Sequence, residues 1–112
     1  MKTKIMYMEQ KTHEGGHDDR GEARIGRVTL SKSGKSLHYK GKTFHRTKGP
    51  VGCGNHVDAD TDDIYWISGV KKDGADRYYW GKSAPVWIDD DVREEYWTEI
   101  RGQPERSQEA RT

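Results

Sequence analysis

Two short aromatic runs, DIYWIS and RYYWG, stand on either side of the polar turn GVKKDGAD between Asp63 and Gly81, the densest apolar stretch of the chain. Runs of this kind around a charged, glycine-bearing turn predict a β-hairpin. Ile64 and Trp66 fall on one face of its first strand and Tyr65 and Ile67 on the other; in the second, Tyr78 and Trp80 oppose Tyr79. Both faces are apolar. Such a sheet needs cover on both sides, by closure into a barrel or by a helix lying on its back.

The same two-residue period recurs upstream. Lys4 to Glu9 (KIMYME) alternates Ile5 and Tyr7 with Met6 and Met8, a first strand, and the wholly non-apolar HEGGHDDRG (His13 to Gly21) is a loop. Glu22 to Phe44 reads as a three-stranded meander. Gly26, Val28 and Leu30 share one face and Arg27 and Thr29 the other, with Ile25 out of phase, which predicts a bulge at Gly26. SKSGKS (Ser31 to Ser36) is a turn with Gly34 at positive φ, Leu37 and Tyr39 continue the buried face, and Lys40-Gly41-Lys42 leads into a strand ending at Phe44. The stretch GPVGCGNHVDADTDD, within His45 to Asp63, carries three glycines, a proline and four aspartates and predicts the longest loop.

Downstream, Pro85-Val86-Trp87-Ile88 is a last short strand. Asp91 with Glu94 reads as a capping box, and Val92, Tyr96 and Ile100, with Trp97 beside them, form one stripe of a helix from Val92 to Arg101. Gly102 and Pro104 stop it. These elements add up to a mainly β fold: a small curved antiparallel sheet or SH3-like open barrel of about six strands with one C-terminal helix, in a single domain over residues 1–102. The expected core is Ile25, Val28, Leu30, Leu37, Ile64, Trp66, Ile67, Tyr78, Trp80, Val86, Ile88, Val92, Tyr96 and Ile100. Residues 103–112 (QPERSQEART) have no apolar anchor beyond Ala110 and are expected to be a disordered tail.

Composition changes the picture in one respect. Val, Ile, Leu and Phe supply only 15 of 112 residues, yet a formal net charge of +1 and 11 aromatic residues oppose disorder. The core must be rich in aromatic rings. A single cysteine excludes an internal disulfide, and with no leader-like segment and no long apolar run the expected compartment is the cytoplasm, without membrane contact. Charge is uneven: Arg20 to Gly49 holds nine basic residues and one acid, net +8, whereas Ser83 to Ile100 holds six acids and one arginine, net −5. A basic face opposite an acidic one is the expectation.

The segments ARIGRVTLSKSGKSLHYKGK, YWISGVKKDGADR and IDDDVREEYW resemble those of a group of small uncharacterised bacterial proteins, over roughly Ala23 to Trp97. The resemblance implies a compact bacterial domain and brings no activity, ligand or site residue with it.

Candidate chemistry is sparse. The basic meander, through Arg24, Arg27, Lys40, Lys42 and Arg46, can hold phosphates, and Tyr39 and Phe44, read as exposed aromatics, can stack on unpaired bases; outward lysines also simply keep a sheet soluble. Lys71, Lys72 and Arg77 around Gly74 can hold a phosphate or carboxylate, or form an ordinary solvated turn. Cys53, His56 and Asp58, with His13, His17 or His45, carry metal-ligand atoms, and Cys53 with His56 or His45 a nucleophile and base, but one cysteine and scattered histidines lack the paired spacing of a metal site and no oxyanion arrangement is legible. Neither a cofactor nor a catalytic residue is assigned. The expectation is a non-enzymatic binding or adaptor module, with nucleic acid as the named ligand and a protein partner as the alternative. An enzyme or metal site centred on Cys53 and His56 is the competing class.

Overall fold

The computed structural model describes residues 2–11, 20–51, 54–72 and 86–111. Six strands, β1 (Lys2–Lys11), β2 (Arg20–Leu30), β3 (Ser36–Tyr39), β4 (Lys42–Val51), β5 (Gly54–Asp58) and β6 (Ile64–Gly69), pair antiparallel in the order β1-β6-β5-β4-β3-β2, and β1 also pairs with β2. That last ladder closes the barrel, so it is not the open form expected. β7 (Val86–Ile88) lies parallel to the start of β2, with Ala23 opposite Val86 and Ile25 opposite Ile88. A single C-terminal helix, α1, follows through a 3-10 turn (Asp90–Val92), one α turn (Arg93–Glu95) and a π turn (Tyr96–Ile100).

The alternation along β1 feeds two cores at once. Met6 and Met8 point into the barrel with Val28, Leu37, Phe44 and Ile67, whereas Ile5 and Tyr7 point outward with Ala23, Ile25, Val86 and Ile88 onto Val92, Tyr96 and Trp97 of α1. Ile25 is therefore in phase for an outer core, and no bulge at Gly26 is needed: the β1–β2 register runs unbroken from Lys2↔Leu30 to Glu9↔Ala23. Gly26 is required for a different reason, since a Cβ there would collide with Asp89 Oδ2 and the Tyr39 ring.

The β2-β3-β4 meander forms as its pattern predicts. Gly34 has φ +74°, and Lys40 (φ 45°) with Gly41 (φ 82°) makes the two-residue positive-φ turn of a hairpin. The glycine-rich stretch after His45 departs from expectation. It is the end of β4 and all of β5, not a long loop. Barrel closure overrides local propensity here, and glycine makes it fit: a Cβ on Gly54 would run into Ile64 Cγ2 and the backbone oxygen of Tyr65. Beside it the Asn55 side chain takes the place of a strand residue, donating Nδ2–H to Ile67 O at 2.9 Å and accepting from Ile67 N–H at 2.9 Å.

β6 is the first strand of the expected hairpin, but its ladders in the described residues go to β1 and β5. The second strand, with Tyr78 and Trp80, lies outside the described residues. Trp66, expected in the core, is 40% exposed, because α1 covers the outer face of β1, β2 and β7 and not that of β6. The capping box is not formed either. The helical segment starts at Asp90 behind Asp89, which makes no side-chain cap bond because its carboxylate is engaged elsewhere. Arg101 N–H bonds Tyr96 O at 3.0 Å, and this wider last turn lets the consecutive Tyr96 and Trp97 both be fully buried. Gly102 (φ +64°) then ends it, as expected.

Residues 103–111, expected to be a tail without structure, run back over α1 and β7. Trp97 Nε1–H donates to Glu109 O at 3.0 Å, the Arg106 guanidinium stacks 4.0 Å from the Trp97 ring centroid, and Ile88 N–H donates to Ala110 O at 2.8 Å. Backbone groups and a guanidinium do the anchoring, so no apolar pattern marks the segment.

Candidate functional site

β7 and the start of α1 deliver one carboxylate to the meander. Asp89 is 1% exposed; its Oδ1 accepts from Arg24 at 2.8 Å, its Oδ2 from the Tyr39 hydroxyl at 2.5 Å, and Lys40 Nζ lies 3.3 Å from Oδ2. Burial pushes this carboxyl up, but the bonds from Tyr39, Arg24 and Lys40 outweigh it and hold it below the ordinary range. Burial and the Asp89 carboxylate push the Tyr39 phenol up. Further along, Arg27 Nη2 meets Glu95 Oε1 at 2.8 Å.

These contacts divide the sequence-predicted sites. Arg24, Arg27 and Lys40 are ion-paired to the acidic segment, so the basic meander and the acidic helix neutralise one another and do not form opposite faces. Lys42 is exposed near the Tyr65 hydroxyl. Arg46, four residues on along β4, belongs to the other end of the barrel. Phe44 is 1% exposed and the Tyr39 hydroxyl is taken by Asp89, so the two do not form an outer stacking platform. Lys71 and Lys72 are exposed just beyond β6, and Arg77 lies outside the described residues.

The end of the barrel that receives Arg46 and Lys71 collects further cations. Lys2 and Lys4 open β1, Lys32 and Lys35 stand in the β2–β3 turn, and Lys71 and Lys72 follow β6; all are exposed, as is Arg46. Adjacency is direct at three points. Lys2 pairs in register with Leu30, Arg46 N–H donates to Lys35 O at 2.9 Å, and Lys4 Nζ stands 3.3 Å from where a Cβ on Gly69 would be. Among the described residues none of Lys2, Lys4, Lys32, Lys35, Arg46 and Lys72 is in an ion pair. Sequence reasoning missed Lys2, Lys4, Lys32 and Lys35 as members of one site. The signal was available in principle: in an up-and-down array, the start of β1, the β2–β3 turn and the exit of β6 fall at the same end.

Inside the barrel His56 is 5% exposed, its Nδ1 2.8 Å from Asn55 Oδ1, and burial together with Arg46 lowers it to about 4. Asp58 Oδ1 accepts the Asp60 N–H at 2.8 Å. Cys53 lies outside the described residues, and among those described no three His, Cys, Asp or Glu side chains are grouped to hold a metal ion. Nor, among them, is any helix long and apolar enough to cross a membrane. No family model, curated protein or solved structure matches the chain.

Proposed function

We propose that the protein is a non-enzymatic binding module of the bacterial cytoplasm that holds nucleic-acid phosphates on the basic end of its barrel. The carrying observation is that Lys2, Lys4, Lys32, Lys35, Arg46 and Lys72, from separate elements, converge there without ion pairs among the described residues. A net charge of +1 for the whole chain does not oppose this, since among the described residues Asp58, Asp60, Asp62 and Asp63 stand at the other end of the barrel and Glu94, Glu95 and Glu99 on α1. Lysines on flexible stems neutralise phosphates without reading bases, so binding is indifferent to sequence and driven by counterion release. The bacterial and cytoplasmic parts of the reading rest on the resemblance of segments such as ARIGRVTLSKSGKSLHYKGK and on the single cysteine.

Fluorescence anisotropy of a labelled single-stranded RNA, titrated between about 50 and 200 mM salt, tests this. Four phosphate contacts give a slope of log K against log salt of about −3. The triple variant Lys4→Glu, Lys32→Glu, Lys35→Glu abolishes binding. A slope near zero, or full binding by the triple variant, overturns the reading.

A further inference from the structure

At the opposite mouth the barrel is not filled. A cavity of about 140 Å³ opens there, floored by the buried Met8 and Phe44 and walled by Tyr39 and Tyr65. Its existence follows from the Asp89 cluster. Side chains ordinarily fill the interior of a barrel this small, but Tyr39 has its hydroxyl held on Asp89, leaving its ring as a wall of the opening. Tyr65 stands against Phe44 with ring centroids 4.7 Å apart and planes at 59°. Burial pushes the Tyr65 phenol up, with the nearby Lys42 opposing it.

Size and lining restrict what fits. A cavity of about 150 Å³ lined by apolar groups accommodates one benzene ring, so this one has room for a single six-membered ring. Aromatic walls and the Met8 thioether favour a flat, polarisable guest over an aliphatic one. The rim is cationic and polar: Gln10, Arg24 and Lys42 line it, and Lys40 stands behind Arg24 on Asp89. Arg24 and Lys40 already share a carboxylate, while Lys42 is in no ion pair among the described residues. A guest's anionic group is therefore met at Lys42.

We propose that the barrel mouth binds a small molecule consisting of one aromatic ring with an anionic substituent, the ring resting on Met8 and Phe44 between the walls of Tyr39 and Tyr65, the anion at Lys42. Two sources share this chemistry, an arene carboxylate and a pyrimidine nucleotide. The site is at the opposite end from the phosphate-binding surface and does not depend on it.

Titration of ¹⁵N-labelled full-length protein with benzoate, with uridine monophosphate, and with cyclohexanecarboxylate and inorganic phosphate as controls tests the assignment. Saturable shifts of the Met8, Phe44 and Tyr65 amides are expected with benzoate or the nucleotide, and whichever binds about tenfold tighter names the source. Cyclohexanecarboxylate and phosphate should bind at least about tenfold more weakly than the better of the two. Lys42→Gln, an exposed change that leaves the fold intact, should weaken binding about fivefold, as expected for loss of one exposed charge pair. The proposal is overturned if neither aromatic anion shifts these amides, if a control binds as tightly, or if Lys42→Gln binds unchanged.

Discussion

The two ends of this barrel carry similar residue types to opposite effect. At the mouth, Arg24, Tyr39 and Lys40 converge on the buried Asp89, and the charges hold the meander to β7 and α1. At the other end Lys2, Lys4, Lys32, Lys35 and Arg46 face solvent with no acid paired to them among the described residues. A basic residue is part of the structure where a desolvated carboxylate meets it and part of a potential binding surface where none does. Residue type does not distinguish the two cases.

The largest break in that contrast is made at Asp89. Asp89→Ala leaves a cationic and phenolic cluster without its acceptor and should cost about 3–5 kcal/mol in urea unfolding, whereas Lys32→Ala or Lys35→Ala should fall within about 0.5 kcal/mol. Equal costs would mean that the ends do not differ as described.

Next comes pH. His56 is neutral in the fold down to about 4, against an ordinary 6.5, so between those values the unfolded chain binds a proton that the folded one does not. Stability therefore falls as pH falls from 6.5 to 4, by about 3 kcal/mol from this group, and His56→Gln should flatten the profile in that window. Asp89, whose carboxyl is held below its ordinary 3.8, contributes stability above that pH that is lost on further acidification. A profile of unchanged slope in His56→Gln would remove His56 from the account.

Smaller effects sharpen the comparison at the basic end. Lys35→Glu alone should weaken RNA binding uniformly across sequences and reduce the magnitude of the salt slope by about 1. A sequence-selective loss would instead indicate base contacts. A small effect belongs to Arg27, whose partner Glu95 is exposed: Arg27→Ala should cost less than about 1 kcal/mol by thermal or urea unfolding, because solvent screens such a pair.

Much of the fold was legible. The alternation in KIMYME, the turns at Gly34 and Lys40-Gly41, and the apolar stripe Val92, Tyr96, Ile100 are local consequences of side-chain period and glycine conformation. The π turn was not, because nothing in YWTEI separates a stripe of α period from one widened to bury Tyr96 and Trp97 together. Ile25 was misread as the mark of a bulge because a period-two pattern was assigned a single buried face, and β2 has two.

The site was less legible, for a reason of distance. Arg24 and Asp89 are 65 residues apart, and their pairing ties part of a basic run, Arg24 and Lys40, to a buried carboxylate. The sequence by itself determined the strands of the meander, the helix and its stop, and the need for an aromatic-rich core covered on both faces, since these follow from composition and from patterns a few residues long. Only the tertiary structure decided that the barrel closes through β1 and β2, that GPVGCGN is strand at its ends, and which lysines stay in solvent. Each of those outcomes is set by which strand ends meet and by which buried carboxylate lies within hydrogen-bonding distance, and neither is encoded in any local stretch.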